Sequence, residues 1–280
     1  MNFCRDDVLR LAAILSEAAK AEILPRFNRL RAGAVRTKSS AIDLVTDADE
    51  AAERVISAEL LRAFPGAVVI GEEATAAEPT LLDVLDSAEL AFVVDPIDGT
   101  RNFAAGMPLF GVMAAATIRG EIVAGVIHDP LGRNTAMGLR DGGAWLQDED
   151  GQAQPLRVAE PADDPAQMDG FVGITYLPEP LRSRVAGNLS RLRSPANLRC
   201  AAHEYRMAAA GHCQVLLYHK LMPWDHAPGW LIHREAGGHS AHFDGTPYRP
   251  TRLDGGLLCA PDQASWRVAH AALLGAPTPA

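Results

Sequence analysis

The sequence predicts an α+β fold in which helix pairs alternate with sheets. Three observations predict it. Apolar residues recur at helical spacing near the start, strand-like apolar runs follow between residues 68 and 128, and further helix and strand patterns appear beyond a Pro- and Asp-rich stretch. Val8, Leu11, Ala12, Leu15, Ala18 and Ala19 share one helical face, so an amphipathic helix is expected from about Arg5 to Phe27. A second helix should begin near Asp49, with Ala52, Val55, Ile56 and Leu60 on its inner face. Asp47 and Asp49 then sit at its N-terminus, where the dipole favours negative charge. Strands are expected at Val68–Ile70, Ala91–Val94, Phe110–Ile118 and Ile122–His128. Gly151 to Pro165 has little periodicity and reads as the boundary between an N-terminal lobe, residues 1–150, and a C-terminal lobe, residues 151–280. Beyond it, Cys200–Ala210 reads as a helix and Val215–Tyr218 as a strand. Ala227–Ala236 reads as a helix with Pro228 in its first turn, stopped by Gly237-Gly238. The tail from Gly275 to Ala280 is expected to fray.

With 280 residues, 48% of them hydrophobic, the chain can bury one large core or two closely packed ones. A net charge of −9 argues against direct nucleic-acid binding through a basic surface. Cys4, Cys200, Cys213 and Cys259 show no C-x-x-C spacing, so they read as buried thiols in a reducing compartment and suggest neither zinc nor a redox pair. Asp6, Asp7, Glu17 and Glu22 interrupt the first apolar residues, which is unlike a signal peptide. No run approaches the ~20 apolar residues needed to span a bilayer. A soluble, cytoplasmic protein without a membrane partner is expected.

The most informative segment is Val93-Val94-Asp95-Pro96-Ile97-Asp98-Gly99-Thr100-Arg101-Asn102-Phe103. Two carboxylates at the end of a buried strand repel each other and are poorly solvated, so something positive should compensate them. Mg²⁺ bridges carboxylates to phosphate in this way. On this segment alone the plainer alternative is equally open, with Asp95 as a helix cap and Asp98 solvated in a loop. Two distant segments add to it. Val68-Val69-Ile70-Gly71-Glu72-Glu73 is another apolar run ending in paired acids, and Met222-Pro223-Trp224-Asp225-His226-Ala227 sets an acid at the mouth of a helical pattern.

Together these segments resemble the inositol monophosphatase family of Mg²⁺-dependent, lithium-sensitive sugar phosphatases. Its signatures stand here as Gly71-Glu72-Glu73, Asp95-Pro96-Ile97-Asp98-Gly99-Thr100, and Trp224-Asp225 running to Glu235-Ala236-Gly237-Gly238. Lys38-Ser39-Ser40-Ala41-Ile42-Asp43-Leu44-Val45-Thr46, followed by Asp49, is a fourth match. The resemblance covers about residues 35 to 240 in the family's order. It implies a layered αβαβα sandwich, a homodimer, and hydrolysis of a small phosphorylated polyol or sugar-like alcohol by metal-activated water. By the same resemblance Glu72, Asp95 and the Ile97 carbonyl hold one Mg²⁺, which carries the nucleophilic water. Asp95, Asp98 and Asp225 hold a second, facing the ester oxygen, and a third, weaker ion shares Glu72. Thr100, with Asp49 behind it, orients and activates the water, while Asp98, Gly99, Thr100, Ala201 and Asp225 adjoin the phosphate and substrate.

Other residues have plainer readings beside the functional one. Lys38 matches a family lysine in a loop near the metals, but a loop lysine is otherwise solvated. Asp43 matches the motif yet would also anchor a turn, and Asp47 reads as a solvated helix start. Glu73 is expected to point away from the metals, because strand neighbours alternate faces. His203, His212, His219, His226, His233, His239 and His242 lack the H-E-x-x-H pattern and read as surface or packing residues.

The resemblance weakens at the leaving-group pocket. Where the family has Gly-Ser or Gly-Thr before two small residues, this chain has Arg199-Cys200-Ala201-Ala202. Tyr218 stands where inositol-type members carry an acid, seven positions before the motif's Asp225. Arg199 offers a charged fork, or else points to solvent or pairs with Glu204; Tyr218 offers a flat face and a hydroxyl. Histidinol phosphate or another sibling substrate is therefore a second reading. A binding role in a transcription complex is a third, of a different class.

Overall fold

The structure, a computed structural model, describes residues 3–30, 33–38 and 44–275. Asp43 and the tail from residue 276 lie outside the described residues. In chain order the elements are α1 (Arg5–Ala18), β1 (Val35–Thr37), β2 (Leu44–Thr46), α2 (Asp47–Ala63), β3 (Val68–Gly71), α3 (Glu72–Ala77), β4 (Ala91–Asp98) and α4 (Thr100–Ala104). Next come β5 (Gly111–Ile118), β6 (Glu121–Asp129), β7 (Asn134–Leu139), β8 (Gly143–Asp148) and β9 (Ala153–Pro155). The remainder is β10 (Asp169–Val172), α5 (Leu181–Asn188), β11 (Ser194–Ala196), α6 (Ala201–Ala209), β12 (Val215–Tyr218), α7 (Pro223–Glu235), β13 (His239–His242), β14 (Leu257–Ala260) and α8 (Gln263–Leu274).

Strands β3 to β9 form one seven-stranded sheet in sequence order, with β3 and β4 parallel and the rest antiparallel. A second sheet has the order β11-β10-β12-β14-β13. Both faces of each sheet are covered, which explains why β4 and β5 read as continuous apolar runs. Val8, Leu11, Leu15, Ile56 and Leu60 of α1 and α2 pack with Phe92, Val94, Val112 and Ala114 on one face of the large sheet. Val93, Met113, Ala115 and Ile127 on the other face pack with Tyr205, Leu231 and Ile232 of α6 and α7, which in turn cover Leu216, Tyr218 and Leu257 of the second sheet. Val185, Trp266, Ala269 and Leu273 of α5 and α8 close its far side. The layering is the expected αβαβα sandwich.

Several boundaries differ from expectation, each for a physical reason. α1 ends at Ala18 and runs into a π-helical turn, Ala19–Ile23, short of Phe27. α7 begins at Pro223, so Pro228 lies inside the helix and not in its first turn. Pro223 at the first helical position is the real start signal, since its absent N–H would have no partner there. The helix crosses the large sheet closely: a Cβ on Gly125 would lie 2.3 Å from the Pro228 carbonyl oxygen. β7, β8 and β9 were not expected. β9 is exposed throughout, and Asn134 and Gly138 of β7 and Gly143, Gln147 and Asp148 of β8 break up their apolar residues, so neither an apolar run nor strict alternation marks them. Of the four cysteines, Cys200, Cys213 and Cys259 are buried free thiols, but Cys4 is exposed. Among the described residues no helix is long and apolar enough to cross a membrane.

Candidate active site

The site forms where β4 runs past the end of its parallel neighbour. β3 pairs with β4 only as far as Gly71 opposite Val94, and beyond this β4 has β5 alone. Asp95 pairs with Met113 and Asp98 with Gly111, so three steps along β4 match two along β5. This bulge has a direct consequence. Strand alternation would put Asp95 and Asp98 on opposite faces, and the extra residue brings both to the face covered by α7. It also accommodates Pro96, which has no N–H for a ladder. Ile97 buries its side chain in the core beneath α1 and α2, which leaves its carbonyl to accept from the Thr100 hydroxyl at 2.9 Å.

Asp225 enters from the first turn of α7. Asp95, Asp98 and Asp225 each place a carboxylate oxygen within 4.8 Å of the others. Asp95 is buried, and its Oδ1 has no hydrogen-bond partner. Asp98 Oδ2 accepts from the Ala202 amide of α6 at 2.7 Å. Burial, then the charge of Glu72, pushes the Asp95 carboxyl well above the usual range and the Asp225 carboxyl up to about 8. Burial pushes Asp98 up to about 6, against hydrogen bonds from Cys200 and the amides of Ala202 and Ala201. Among the described residues no cation is ion-paired with the cluster, although the Lys220 charge partly offsets the rise at Asp225; its donors are hard oxygens, and one of them is a buried orphan. That combination fits a hard divalent cation.

Around the cluster stand two supporting groups. Asp49, at the third position of α2, is fully buried and accepts from the Thr46 amide at 2.9 Å and from the Thr46 hydroxyl. This is a capping box, and it aims the other oxygen of Asp49 at the Thr100 hydroxyl, 3.1 Å away. Burial pushes Asp49 up to about 7. Glu72 and Glu73 open α3 and do not continue β3, so the strand argument for Glu73 fails: both carboxylates accept from Lys38 Nζ, at 2.8 and 2.6 Å. Burial disfavours the Lys38 charge, but the two glutamates outweigh it and raise its pKa. Glu73 is pushed up to about 8, by burial first and by Glu72 second.

One supporting residue escaped the sequence reading. Glu53, buried in α2, accepts from the Glu73 amide at 2.7 Å and the Ala74 amide at 2.8 Å, and so caps the helix that carries Glu72. Gly71 permits this approach, since a Cβ there would fall 2.2 Å from the Glu53 carboxyl carbon. A signal existed: Asp49 and Glu53 are four apart, hence on one face of α2.

The leaving-group side holds Arg199, Ala201 and Tyr218, which line one cavity with Asp98 and Asp225. Arg199 does not pair with Glu204; that buried carboxylate accepts from the Leu198 amide at 2.8 Å and is pushed up to about 7 by burial. Gly99 has φ 86°, the left-handed region, where a Cβ would meet the Leu109 carbonyl oxygen at 2.8 Å. Buried histidines are occupied elsewhere: His226 bridges the Tyr205 hydroxyl and the Lys220 carbonyl, and His242 bonds the Gly256 carbonyl.

The αβαβα layering, with an acid cluster at the bulged end of a central strand, defines a layered α+β protein with a candidate divalent-metal centre. Residues 5–276 match the model of the inositol monophosphatase family, and the chain belongs to that family. It is 34% identical over 232 residues to an inositol-1-monophosphatase of Mesorhizobium japonicum, covering 80% of each chain. It is 30% identical over 256 residues to a protein of Xylella fastidiosa named Nus factor SuhB, covering 89% of this chain and 86% of that one. Among solved structures, the extragenic suppressor protein suhB of Bartonella henselae superposes with a TM-score of 0.79 at 25% identity, over 95% of this chain and 98% of that one. Family membership makes the protein a phosphatase, and so a hydrolase.

Proposed function

We propose that the protein is a Mg²⁺-dependent, lithium-sensitive phosphomonoesterase of the cytoplasm, acting as a homodimer on a small polyol or sugar-like phosphate. The observation that carries this reading is the convergence of Asp95, Asp98 and Asp225 around an unpartnered carboxylate oxygen. Glu72, Asp95 and the Ile97 carbonyl would hold one cation, Asp95, Asp98 and Asp225 a second, and Glu72 would share a third. Bound divalent cations lower the pKa of water and offset the charge that develops on the leaving alkoxide.

The chain's own groups do the rest. Thr100 Oγ1 has one proton and two acceptors in reach, Asp49 Oδ1 and the Ile97 carbonyl. Were a cation to take the Ile97 carbonyl, Asp49 Oδ1 would be the acceptor left for that proton, and a lone pair of Thr100 Oγ1 would be free to accept from the attacking water. Asp49, buried and hydrogen-bonded to the Thr100 hydroxyl, is the carboxylate placed to take on proton density through Thr100. Amides at Gly99 and Thr100 suit the phosphate oxygens, and Ala201, Arg199 and Tyr218 border the alcohol. The proposed lobes, 1–150 and 151–280, divide this labour: the first supplies the groups that act on water and phosphate, the second Asp225 and the alcohol pocket.

A panel of inositol 1-phosphate, histidinol phosphate and fructose 1,6-bisphosphate, assayed with Mg²⁺ and with chelator, tests the reading. Phosphate release that requires Mg²⁺ supports it, and none from any member contradicts it. The likeness to a Nus factor favours a second role in a transcription complex, which would coexist with the complete set Glu72, Asp95, Asp98, Thr100 and Asp225.

A further inference from the structure

The cavity that opens from Asp98 and Asp225 encloses about 200 Å³ on the side where the alcohol of the substrate would lie. Arg101, Arg199 and Lys220 all line it, and among the described residues none of the three is in an ion pair. Its acids are committed elsewhere. Asp98 and Asp225 belong to the cation cluster, and Glu204 is buried on the Leu198 amide. The wall left facing an incoming alcohol is therefore cationic.

Two details show how these charges are displayed. Lys220 Nζ lies 5.5 Å from the ring centroid of Tyr176, a half-exposed tyrosine that also lines the cavity. A cation–π contact of this kind, weak at an exposed site, biases the ammonium toward the cavity without neutralising it. Arg199 has φ 56°, the left-handed region that glycine occupies freely and a branched side chain does not. The strained residue is held by Asn197, whose Oδ1 accepts from the Arg199 amide at 2.8 Å. Its guanidinium meets only the weak acceptor Met107 Sδ, at 3.2 Å. Arg119 and Arg133 share this backbone region but are ion-paired with Glu89 and Glu149; Arg199 differs in lying at a cavity lip with an unpaired guanidinium.

We propose that the alcohol half of the substrate carries a second anionic group, a phosphate or a carboxylate, received by Arg199 and Lys220. This rests on the phosphatase reading and narrows it: a neutral polyol phosphate is a poorer substrate than the same carbon chain bearing a second charge. Guanidinium binds either group bidentately, while the ammonium contributes a point charge.

Three six-carbon esters that differ only at the far end test it: glucitol 6-phosphate, glucitol 1,6-bisphosphate and 6-phosphogluconate. Turnover is measured with Mg²⁺ in wild type, Arg199→Gly and Lys220→Ala, and binding in the same proteins carrying Asp49→Asn. Charge-assisted hydrogen bonds should favour the two anionic esters by ~10–100-fold in kcat/KM and in affinity. In each variant that ratio should fall at least ~10-fold. Glycine is relaxed at position 199, so Arg199→Gly keeps the fold, which melting verifies. Whichever anionic ester leads identifies phosphate or carboxylate. A neutral ester that binds and reacts as well as the other two, with ratios unmoved in both variants, overturns the proposal and leaves the phosphatase standing. Tighter, Arg199-dependent binding of the anionic esters with no turnover of any would uphold the anion site and overturn the phosphatase reading instead.

Discussion

Asp95 Oδ1 is buried without a partner beside two further carboxylates, an arrangement that costs stability until a cation enters. Replacing it with a neutral isostere should relieve that cost. In chelator, Asp95→Asn is therefore expected to melt at or slightly above the wild-type temperature, and a clear drop by calorimetry would contradict the crowding argument. Thr100 has a different role in the proposed mechanism, where its hydroxyl, bonded to Asp49, would orient the attacking water. Thr100→Ala should lower kcat about 10²–10⁴-fold with little change in KM, as expected for lost general-base assistance. Quench experiments should trap no phosphoenzyme if water attacks directly, as proposed.

At the scale of elements, the bulge in β4 and the face of α2 shared by Asp49 and Glu53 assemble the site. Glu53 touches no candidate ligand directly; it fixes the start of α3 and with it Glu72. Glu53→Ala would leave two helix-start amides unpartnered, at about 1–3 kcal/mol each where they are buried. It should raise the Mg²⁺ concentration needed for half-maximal activity more than it lowers the rate at saturation, and an unshifted Mg²⁺ midpoint would refute the positioning role. The acids of β4 and α7 were legible from sequence because each follows a pattern that fixes its element: a continuous apolar run for β4, a helical run stopped by glycines for α7. Their meeting came from the family resemblance and not from local pattern, since it depends on a one-residue bulge that no local composition announces. Glu73 was misplaced for a related reason. The run Val68–Gly71 gives no sign of where strand becomes helix, and the helix start is set by Glu53, nineteen residues before Glu72. Likewise β7 to β9 gain their stability from neighbouring strands and not from their own periodicity.

The whole molecule concentrates acid between its layers, and this has a signature in pH. Asp225 and Glu73 are pushed up to about 8, Asp49 and Glu204 to about 7 and Asp98 to about 6, by burial in every case. Unfolded, such groups ionise near pH 4. Folding therefore takes up protons, and the stability these groups contribute is present below about pH 4 and is lost as pH rises through about 6 to 8. Burial holds His128, His226 and His233 down at about 4, which works in the opposite sense between about pH 6.5 and 4. Above about pH 6.5 the histidine contribution fades and the carboxylates dominate. The melting temperature in chelator should fall from pH 6.5 to about 8.5, and saturating Mg²⁺ should flatten that slope; a metal-free melting temperature that holds or rises over this range would contradict the picture. The layering itself was readable as alternating helix and strand patterns, and the family resemblance supplied its order.

The central claim is that Asp95, Asp98 and Asp225 hold the divalent cation on which phosphate-ester hydrolysis depends. Phosphate release from inositol 1-phosphate and from glucitol 1,6-bisphosphate, followed as Mg²⁺ is titrated into chelator-treated wild type and Asp95→Asn, tests it most directly. The account predicts a saturable rise from a null baseline in wild type and no release at any Mg²⁺ concentration in the folded variant. Release in the presence of chelator, or near-normal release by Asp95→Asn, would contradict it.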